Sequence, residues 1–417
     1  GEDATMDFNI PDDIRDYLAV LDDFIEKEIK PLEEENIRFF DHRREYERTD
    51  WENGGRPKEE WEELLAEMKR RADRAGHLRW ALPKDVGGSG GSNLGMAIIR
   101  EHLAHKGLGL HNDLQNESSI VGNFPVVHIF RAVGTPEQRE EFIEDMITGR
   151  KRVAFGVTEP NHGSDATFME TEAKRDGGDW VINGTKRWNS GMSNASHDVV
   201  FARTSGQPGE PMGITAFIVP CETPGVDVAY MHWTFNMPSD HAEVHFRDVR
   251  VPDSAILHEE GRGLECMQAF FHENRIRQAA SSLGAGQYCV DEAVKWANKR
   301  VTWGQPLSRN QAIQWPLAEL NTEAEMLRGL VYKSAWHLDQ QDHMAVTHWV
   351  AMANYRANRF VCEAADRAMQ VHGGMGYTRY KPFEHIYRHH RRYRITEGTE
   401  EIQIRKVASD LFKKFRE

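Results

Sequence analysis

The sequence predicts a mainly α-helical chain with a central β-domain, and three observations predict it. Over the first third, apolar residues recur every three or four positions. From Arg152 they alternate instead, and an Asn183-Gly184 pair marks a turn. From Glu265 the helical period returns. At 417 residues the chain exceeds a single hydrophobic core, and 39% hydrophobic residues with 11 Trp can fill more than one. The expected domains are 1–152, 153–261 and 262–417.

The first helix follows from Ile14, Leu18, Leu21, Ile25 and Ile29, which form one apolar stripe. Pro11, Asp12 and Asp13 suit its start, and Lys27, Lys30 and Pro31 its stop. The charged stretch 33–58, with Asn53-Gly54-Gly55, reads as a surface excursion. Trp61, Leu64, Leu65 and Met68 mark a second helix. No strand precedes Gly87-Gly88-Ser89-Gly90-Gly91, so it reads as a turn rather than a phosphate cradle. In the β-domain, Val153, Phe155 and Val157 alternate, and 180–186 carries the Asn-Gly signature of a tight hairpin. Residues 199–201, 214–219 and 244–246 are further strands. Beyond Glu265, Leu283-Gly284-Ala285-Gly286 predicts closely packed helices. Leu320, Ala324, Leu327 and Val331 continue one helix, and 345–369 forms another. There is no internal repeat.

A net charge of −14 argues against a nucleic-acid surface, and no apolar run reaches the length of a membrane span. Cys221, Cys266, Cys289 and Cys362 lack metal or redox spacing and read as buried thiols of a reducing compartment. The acidic N-terminus shows neither a signal nor a transit pattern, and Met6 is read as a candidate start.

Several segments carry chemistry. Thr158-Glu159-Pro160-Asn161-His162-Gly163-Ser164-Asp165 leaves the first strand with hydroxyls and backbone N–H groups that suit a phosphate or a polar ring edge. Arg187-Trp188-Asn189-Ser190-Gly191 offers an aromatic plane beside a hydroxyl, and equally a core Trp with a turn. Arg300-Val301-Thr302-Trp303-Gly304, followed by Gln311, ends a long helix with an arginine suited to a pyrophosphate. Gln370-Val371-His372-Gly373-Gly374-Met375-Gly376 precedes Arg394-Ile395-Thr396-Glu397-Gly398-Thr399. Glu397 could be a helix-end acid beside a capping glycine, or a general base in a dry pocket.

Together these segments, in this order and spacing, resemble the acyl-CoA dehydrogenase family. The resemblance runs over nearly the whole chain, including Leu82-Pro83 and Gly134-Thr135-Pro136-Glu137-Gln138. It implies an N-terminal helical domain, a middle β-barrel or sandwich and a C-terminal four-helix bundle. It also implies FAD, an acyl-CoA substrate, an electron-transfer flavoprotein as acceptor and a homotetramer built as a dimer of dimers. The implied reaction is α,β-dehydrogenation to a trans-2-enoyl-CoA, part of fatty-acid β-oxidation. Glu397 would abstract the α-proton and flavin N5 would take the β-hydride.

The family's residue roles carry over by motif. Thr158 would bond the flavin pyrimidine edge, with Phe155, Val157 and Gly163 beside it, and Ser164 the pyrophosphate and CoA side. Trp188 would lie against the isoalloxazine and Ser190, where the family more often has Thr, would donate toward N5. Arg300, Thr302, Gln311, Gln370, Gly373 and Gly374 would reach the FAD of a neighbouring subunit. Trp303 stands where the family usually has Phe. Arg275 and Gly398 would lie on the substrate side, and Thr399 and Glu401 near the cofactor.

Some branched- and long-chain members carry the base immediately before the substrate-side arginine. Here that slot is Asn274, which cannot act as a base, and Glu273 is turned away by a further ~100° of helix. His385 and His389 are spaced like a metal pair but lack a third ligand, so no metal is expected. The helix 384–394 reads as a basic face toward the cofactor or CoA phosphates, or as a solvated one. Residues 188–194 and 241–246 look like the branch that in animals is fused to a kinase-like domain, which implies longer acyl chains. A flavin oxidase or monooxygenase and a non-catalytic assembly factor are the alternatives. The expected location is the cytoplasm if the source is bacterial, with mitochondrial matrix and peroxisome disfavoured by the lack of a visible targeting segment.

Overall fold

In a computed structural model, residues 7–115, 117–269, 271–341 and 343–416 are described. The stretch 1–6, with the candidate start Met6, lies outside them. Among the described residues, seven helices precede the main sheet: α1 (Asp12–Phe24), α2 (Lys30–Glu35), α3 (Arg44–Arg48), α4 (Glu59–Arg74), α5 (Asn93–His105), α6 (Pro125–Val133) and α7 (Pro136–Thr148). Five follow it: α8 (Phe271–Lys299), α9 (Gln311–Gln340), α10 (His343–His372), α11 (Phe383–Arg391) and α12 (Glu400–Lys413). The chain forms two compact units. One, the helical unit, comprises Gly1–Arg44, Arg71–Asn123 and His272–Glu417; the other, the sheet unit, comprises Glu45–Arg70 and Phe124–Phe271.

In the helical unit, α1 keeps its expected stripe, with Ile14, Leu21, Ile25 and Ile29 buried. Pro31 does not end the helix there. A π-turn, Ile25–Ile29, intervenes, and Pro31 falls in the first turn of α2, where its missing N–H is not needed. Ala97 of α5, Ile276, Ala279 and Ala280 of α8, Val331 and Ala335 of α9, and Val350 and Ala353 of α10 share one core cluster. Close approach explains the glycines of α8. A Cβ on Gly284 would lie 2.2 Å from the Glu101 carbonyl oxygen, and one on Gly286 would lie 2.2 Å from the Phe360 ring. The glycine loop after Leu82 packs on its own neighbourhood, since a Cβ on Gly88 would strike the Leu82 carbonyl at 1.9 Å.

In the sheet unit, two short strands, β1 (Thr49–Asp50) and β2 (Arg56–Pro57), pair with each other. The main sheet has eight strands: β3 (Val153–Gly156), β4 (Glu172–Asp176), β5 (Asp179–Ser190), β6 (His197–Arg203), β7 (Ile214–Pro220), β8 (Val226–Met231), β9 (His241–Pro252) and β10 (Ile256–Leu257). Their order is β10-β7-β6-β4-β5-β9-β8, with β3 parallel to β6. Six consecutive buried residues in β7 explain its unbroken apolar sequence. Two further short strands, β11 (Val301–Thr302) and β12 (Gln305–Pro306), form a hairpin in the helical unit.

Two expectations are corrected. Asn183-Gly184 is not a hairpin turn. It lies within β5 at a register shift against β9, where Asn183 accepts from the Asp248 N–H at 2.9 Å. A Cβ on Gly184 would sit 2.7 Å from the Thr171 backbone, so glycine is required by close approach. The hairpin turn is Gly177-Gly178, between β4 and β5. The charged stretch 33–58 is not merely a surface excursion either: Phe39, Phe40, Arg44, Arg48 and Thr49 are buried. In the sheet unit, the Arg48 guanidinium lies 4.1 Å from the Trp61 ring centroid, which accommodates a buried charge against an aromatic face.

Candidate active site

Glu397 lies between the 3-10 turn Arg392–Arg394 and α12. Glu397 and Gly398 both hold left-handed backbone angles, φ 57° and 87°. Such a conformation is costly for a glutamate and persists only where its surroundings enforce it. Those surroundings are hydrogen bonds. Arg275 Nη2 on α8 donates to the Glu397 carbonyl at 2.9 Å, Gln403 Nε2 reaches the same oxygen at 3.5 Å, and Thr399 caps α12.

The Glu397 residue as a whole is half-buried, yet its carboxyl end is enclosed: Oε2 is buried and has no hydrogen-bond partner. Oε1 accepts a hydrogen bond from Asn274 Nδ2. Asn274 Oδ1 accepts from Asn123 Nδ2 at 2.8 Å, and Asn123 Oδ1 accepts from Arg277 Nη1. A relay of amides therefore links a buried guanidinium to one oxygen of the carboxylate and leaves the other available. Burial, and then the charge of Glu117, push the Glu397 carboxyl up to about 7, although Asn274, Arg275 and Arg392 each pull it down. A carboxylate of that pKa, with one oxygen unengaged, is a competent proton acceptor near neutral pH.

Glu117 belongs to the same network. It accepts from the Tyr393 hydroxyl and from Arg392 Nη2 at 3.3 Å, and Tyr393 OH also contacts His389 Nε2 at 2.9 Å. The helix read as a basic or solvated face is corrected here, because His385, His389 and His390 are buried. Burial, and then neighbouring Arg392, hold His389 well below its usual pKa and bring His390 down to about 3, so both are neutral. Among the described residues no group of three or more His, Cys, Asp or Glu is placed to hold a metal ion.

The other predicted residues of the helical unit face outward. Arg300, Gln311, Gln370, Gly373, Gly374 and Glu401 are exposed, and Thr302 and Thr399 are half-buried. Trp303 is fully exposed with φ 53°, and a side chain at Gly373 or Gly374 would meet no atom within 4 Å. These positions carry polar and apolar side chains alike, since Val301, Met375 and Tyr377 are exposed beside them.

In the sheet unit, β5 presents Trp188, exposed at 47% with φ 68°. Its indole lies 4.3 Å from the His232 ring, centroid to centroid. The Arg187 guanidinium lies 5.4 Å from the indole centroid, and Glu243 accepts from Arg187 Nε at 2.9 Å and contacts His232 Nε2 at 3.0 Å, which fixes both neighbours of the indole. The Ser190 hydroxyl is exposed, reaching the Trp188 carbonyl at 3.2 Å and His241 Nδ1 at 2.8 Å. Phe155, Val157 and Thr158 are half-buried at the end of β3, and Gly163 and Ser164 are exposed just beyond. The turn is anchored from beneath. Fully buried Lys186 donates to the Val157 carbonyl at 3.0 Å and to Glu159 Oε2 at 2.8 Å, and Glu159 accepts from the Thr171 N–H at 3.0 Å. Asp198 accepts from Asn189 Nδ2 at 2.6 Å, and burial raises its pKa to about 7.

Sequence reasoning noticed Asn274 only as a residue unable to be a base. It missed Asn123, Arg277, Glu117, Tyr393 and Lys186 as parts of these networks. Only Lys186 had a usable signal, an alternating position inside a strand occupied by a charge.

Comparison with known proteins fits this layout. Family models for the acyl-CoA dehydrogenase N-terminal, middle and C-terminal domains match residues 11–150, 154–249 and 261–412. The chain is 33% identical to a short-chain specific acyl-CoA dehydrogenase of Megasphaera elsdenii, over 96% of this chain and 98% of that protein. It is also 33% identical to a 3-(aryl)acrylate reductase of Clostridium sporogenes, over 84% of this chain and 91% of that protein. The solved butyryl-CoA dehydrogenase of Megasphaera elsdenii matches with a TM-score of 0.77 at 28% identity, over 98% of this chain and 100% of that one.

Proposed function

Because the chain belongs to the acyl-CoA dehydrogenase family of FAD-dependent oxidoreductases, we propose that it oxidises a short acyl-CoA thioester to the trans-2-enoyl-CoA, with Glu397 as the base. The observation that carries this reading is the Glu397 carboxyl, enclosed, raised to about 7, and with Oε2 unengaged. A thioester α-proton is only weakly acidic, so its removal needs such a desolvated carboxylate. Asn274 holds Oε1, so Oε2 receives the proton. Arg275 and Gly398 hold the loop in its left-handed path, and the Glu397 backbone N–H would donate to the thioester oxygen as negative charge develops there.

The residues present fit FAD. Trp188 offers an exposed indole held in place by His232, with the Ser190 hydroxyl two residues on. At Gly163 no atom lies within 4 Å of where a side chain would begin, which leaves room for a close-approaching group. Thr158, Phe155, Val157, Gly163, Ser164, Trp188 and Ser190 would hold the cofactor, Thr399 and Glu401 would lie near it, and the exposed Arg300, Gln311, Gln370, Gly373 and Gly374, with Thr302, would reach the FAD of a neighbouring subunit. FAD, when bound, supplies the two-electron acceptor for the β-hydrogen.

A short acyl chain is favoured by the short-chain relatives, in place of the longer chain implied by likeness to the kinase-fused branch. An electron-transfer flavoprotein as acceptor and a homotetramer complete the proposal. Anaerobic mixing of the yellow holoenzyme with butyryl-CoA tests it. Bleaching of the flavin with formation of enoyl-CoA is expected. A flavin that stays oxidised with every acyl-CoA would refute it, and rapid reoxidation by oxygen would point to an oxidase.

A further inference from the structure

Behind the exposed Trp188 and Ser190 lies a buried pair that the reaction above does not use. Trp188 is the unpaired residue of a β-bulge: the register of β5 against β9 shifts between Arg187 and Asn189, and Trp188 takes φ 68°. A left-handed tryptophan persists only where its neighbours are held. On one side the Arg187 N–H donates to the Thr158 carbonyl at 2.9 Å. On the other the Asn189 side chain turns inward, and its Nδ2 donates to Asp198 Oδ2 on β6 at 2.6 Å. Asn189 and Asp198 are buried, at 1% and 0% exposure. Glycine on β3 makes room for them, since a Cβ on Gly156 would fall 2.8 Å from Asn189 Nδ2 and 3.4 Å from Asp198 Oδ2.

As an ionised acid and an amide the pair is half-satisfied. Asn189 Oδ1 and Asp198 Oδ1 are both buried without a hydrogen-bond partner, and two acceptors cannot satisfy each other. Asp198 has no cation of its own either. Lys186 of β5 acts on it through space, but donates to the Val157 carbonyl and to Glu159, so one buried cation faces two buried acids. β3 and β7, on either side of Asp198, set Ala154 and Val219 opposite it. Past β7 stands Cys221, a thiol that burial raises to about 12 and so keeps neutral. On β6 itself, His197 packs edge-on against the Phe142 ring. Burial accordingly brings Asp198 up to about 7. A proton on its free oxygen would satisfy both orphans at once, because a carboxylic acid and a primary amide can join by two hydrogen bonds. We infer that Asp198 is a positioning residue: as a neutral acid it donates to Asn189 Oδ1 and clips the Trp188–Ser190 segment in place, and on losing its proton it releases the clip. This rests on the reading of that segment as part of the FAD site.

Two variants bracket the states. Asp198→Asn places an N–H where the acid has its O–H and cannot titrate, so it is the permanently closed form; Asp198→Ala is the permanently open one. The infrared spectrum of wild-type holoenzyme minus that of Asp198→Asn should contain the C=O band of a protonated carboxylic acid at about pH 5 and lose it by about pH 9, on either side of a value near 7. Over the same range the wild-type Kd for FAD should rise by about 2- to 12-fold, the worth of one hydrogen bond. Asp198→Asn should keep the tight value throughout and Asp198→Ala the weak one. If the alanine variant does not fold, wild type against Asp198→Asn decides. A difference spectrum without the band, or an Asp198→Asn protein whose Kd follows pH as wild type does, overturns the proposal. Wild-type protein that takes up no FAD at any pH overturns the cofactor reading instead, and the band then decides for or against the acid–amide pair.

Discussion

Replacing Asn274 by alanine should change when Glu397 works as well as how well. Asn274 donates to the ionised carboxylate, and a hydrogen bond to a charged group is worth about 1.5–3 kcal/mol. At about 1.36 kcal/mol per pH unit, its loss moves the carboxyl upward by about one to two pH units from its position near 7. A base works only when deprotonated. At neutral pH the rate of flavin reduction should therefore fall by about 7- to 80-fold, and most of it should return at high pH. Stopped-flow bleaching by butyryl-CoA, followed from about pH 6 to about pH 10, reads both the midpoint and the plateau. An unmoved midpoint, a downward shift, or an equal loss at every pH would refute this account of the amide relay.

Two further outcomes follow from buried charge. Lys186→Met leaves Glu159 buried without its cation, which should destabilise the sheet unit by about 3–5 kcal/mol and weaken FAD retention; thermal melts and flavin content read this, and a variant with unchanged melting and colour would contradict it. Glu400 is held at about 2, first by Arg394 and also by Arg359, against an ordinary value of 4.5. A depressed carboxyl contributes stability above its unfolded pKa and loses it as pH falls toward its folded one. The Tm difference between wild type and Glu400→Gln should be full above pH 4.5 and shrink toward pH 2, and a constant difference would argue against the pairing.

The parts of the fold governed by local period were legible in the sequence: the stripe of α1, the apolar run of β7 and the small residues of α8. Asn183-Gly184 misled because its local chemistry suits a tight turn, while the approach of Thr171 and the pairing with β9 keep it inside a strand. For the candidate site, motif order singled out Glu397. Its partners were not legible, because Asn274 and Asn123 lie 151 residues apart and Tyr393 and Glu117 lie 276 apart, and a contact of that separation leaves no periodicity to read. The histidines of α11 looked solvated because their own helix is rich in arginine; tertiary burial makes His389 and His390 neutral.

The central claim is that Glu397 removes the substrate proton. Glu397→Gln keeps the side chain's shape and its hydrogen bond to Asn274 while removing its basicity. The account predicts a yellow, folded protein with full FAD content whose flavin reduction by acyl-CoA is at least about 10²- to 10⁴-fold slower. Bleaching at the wild-type rate would contradict it.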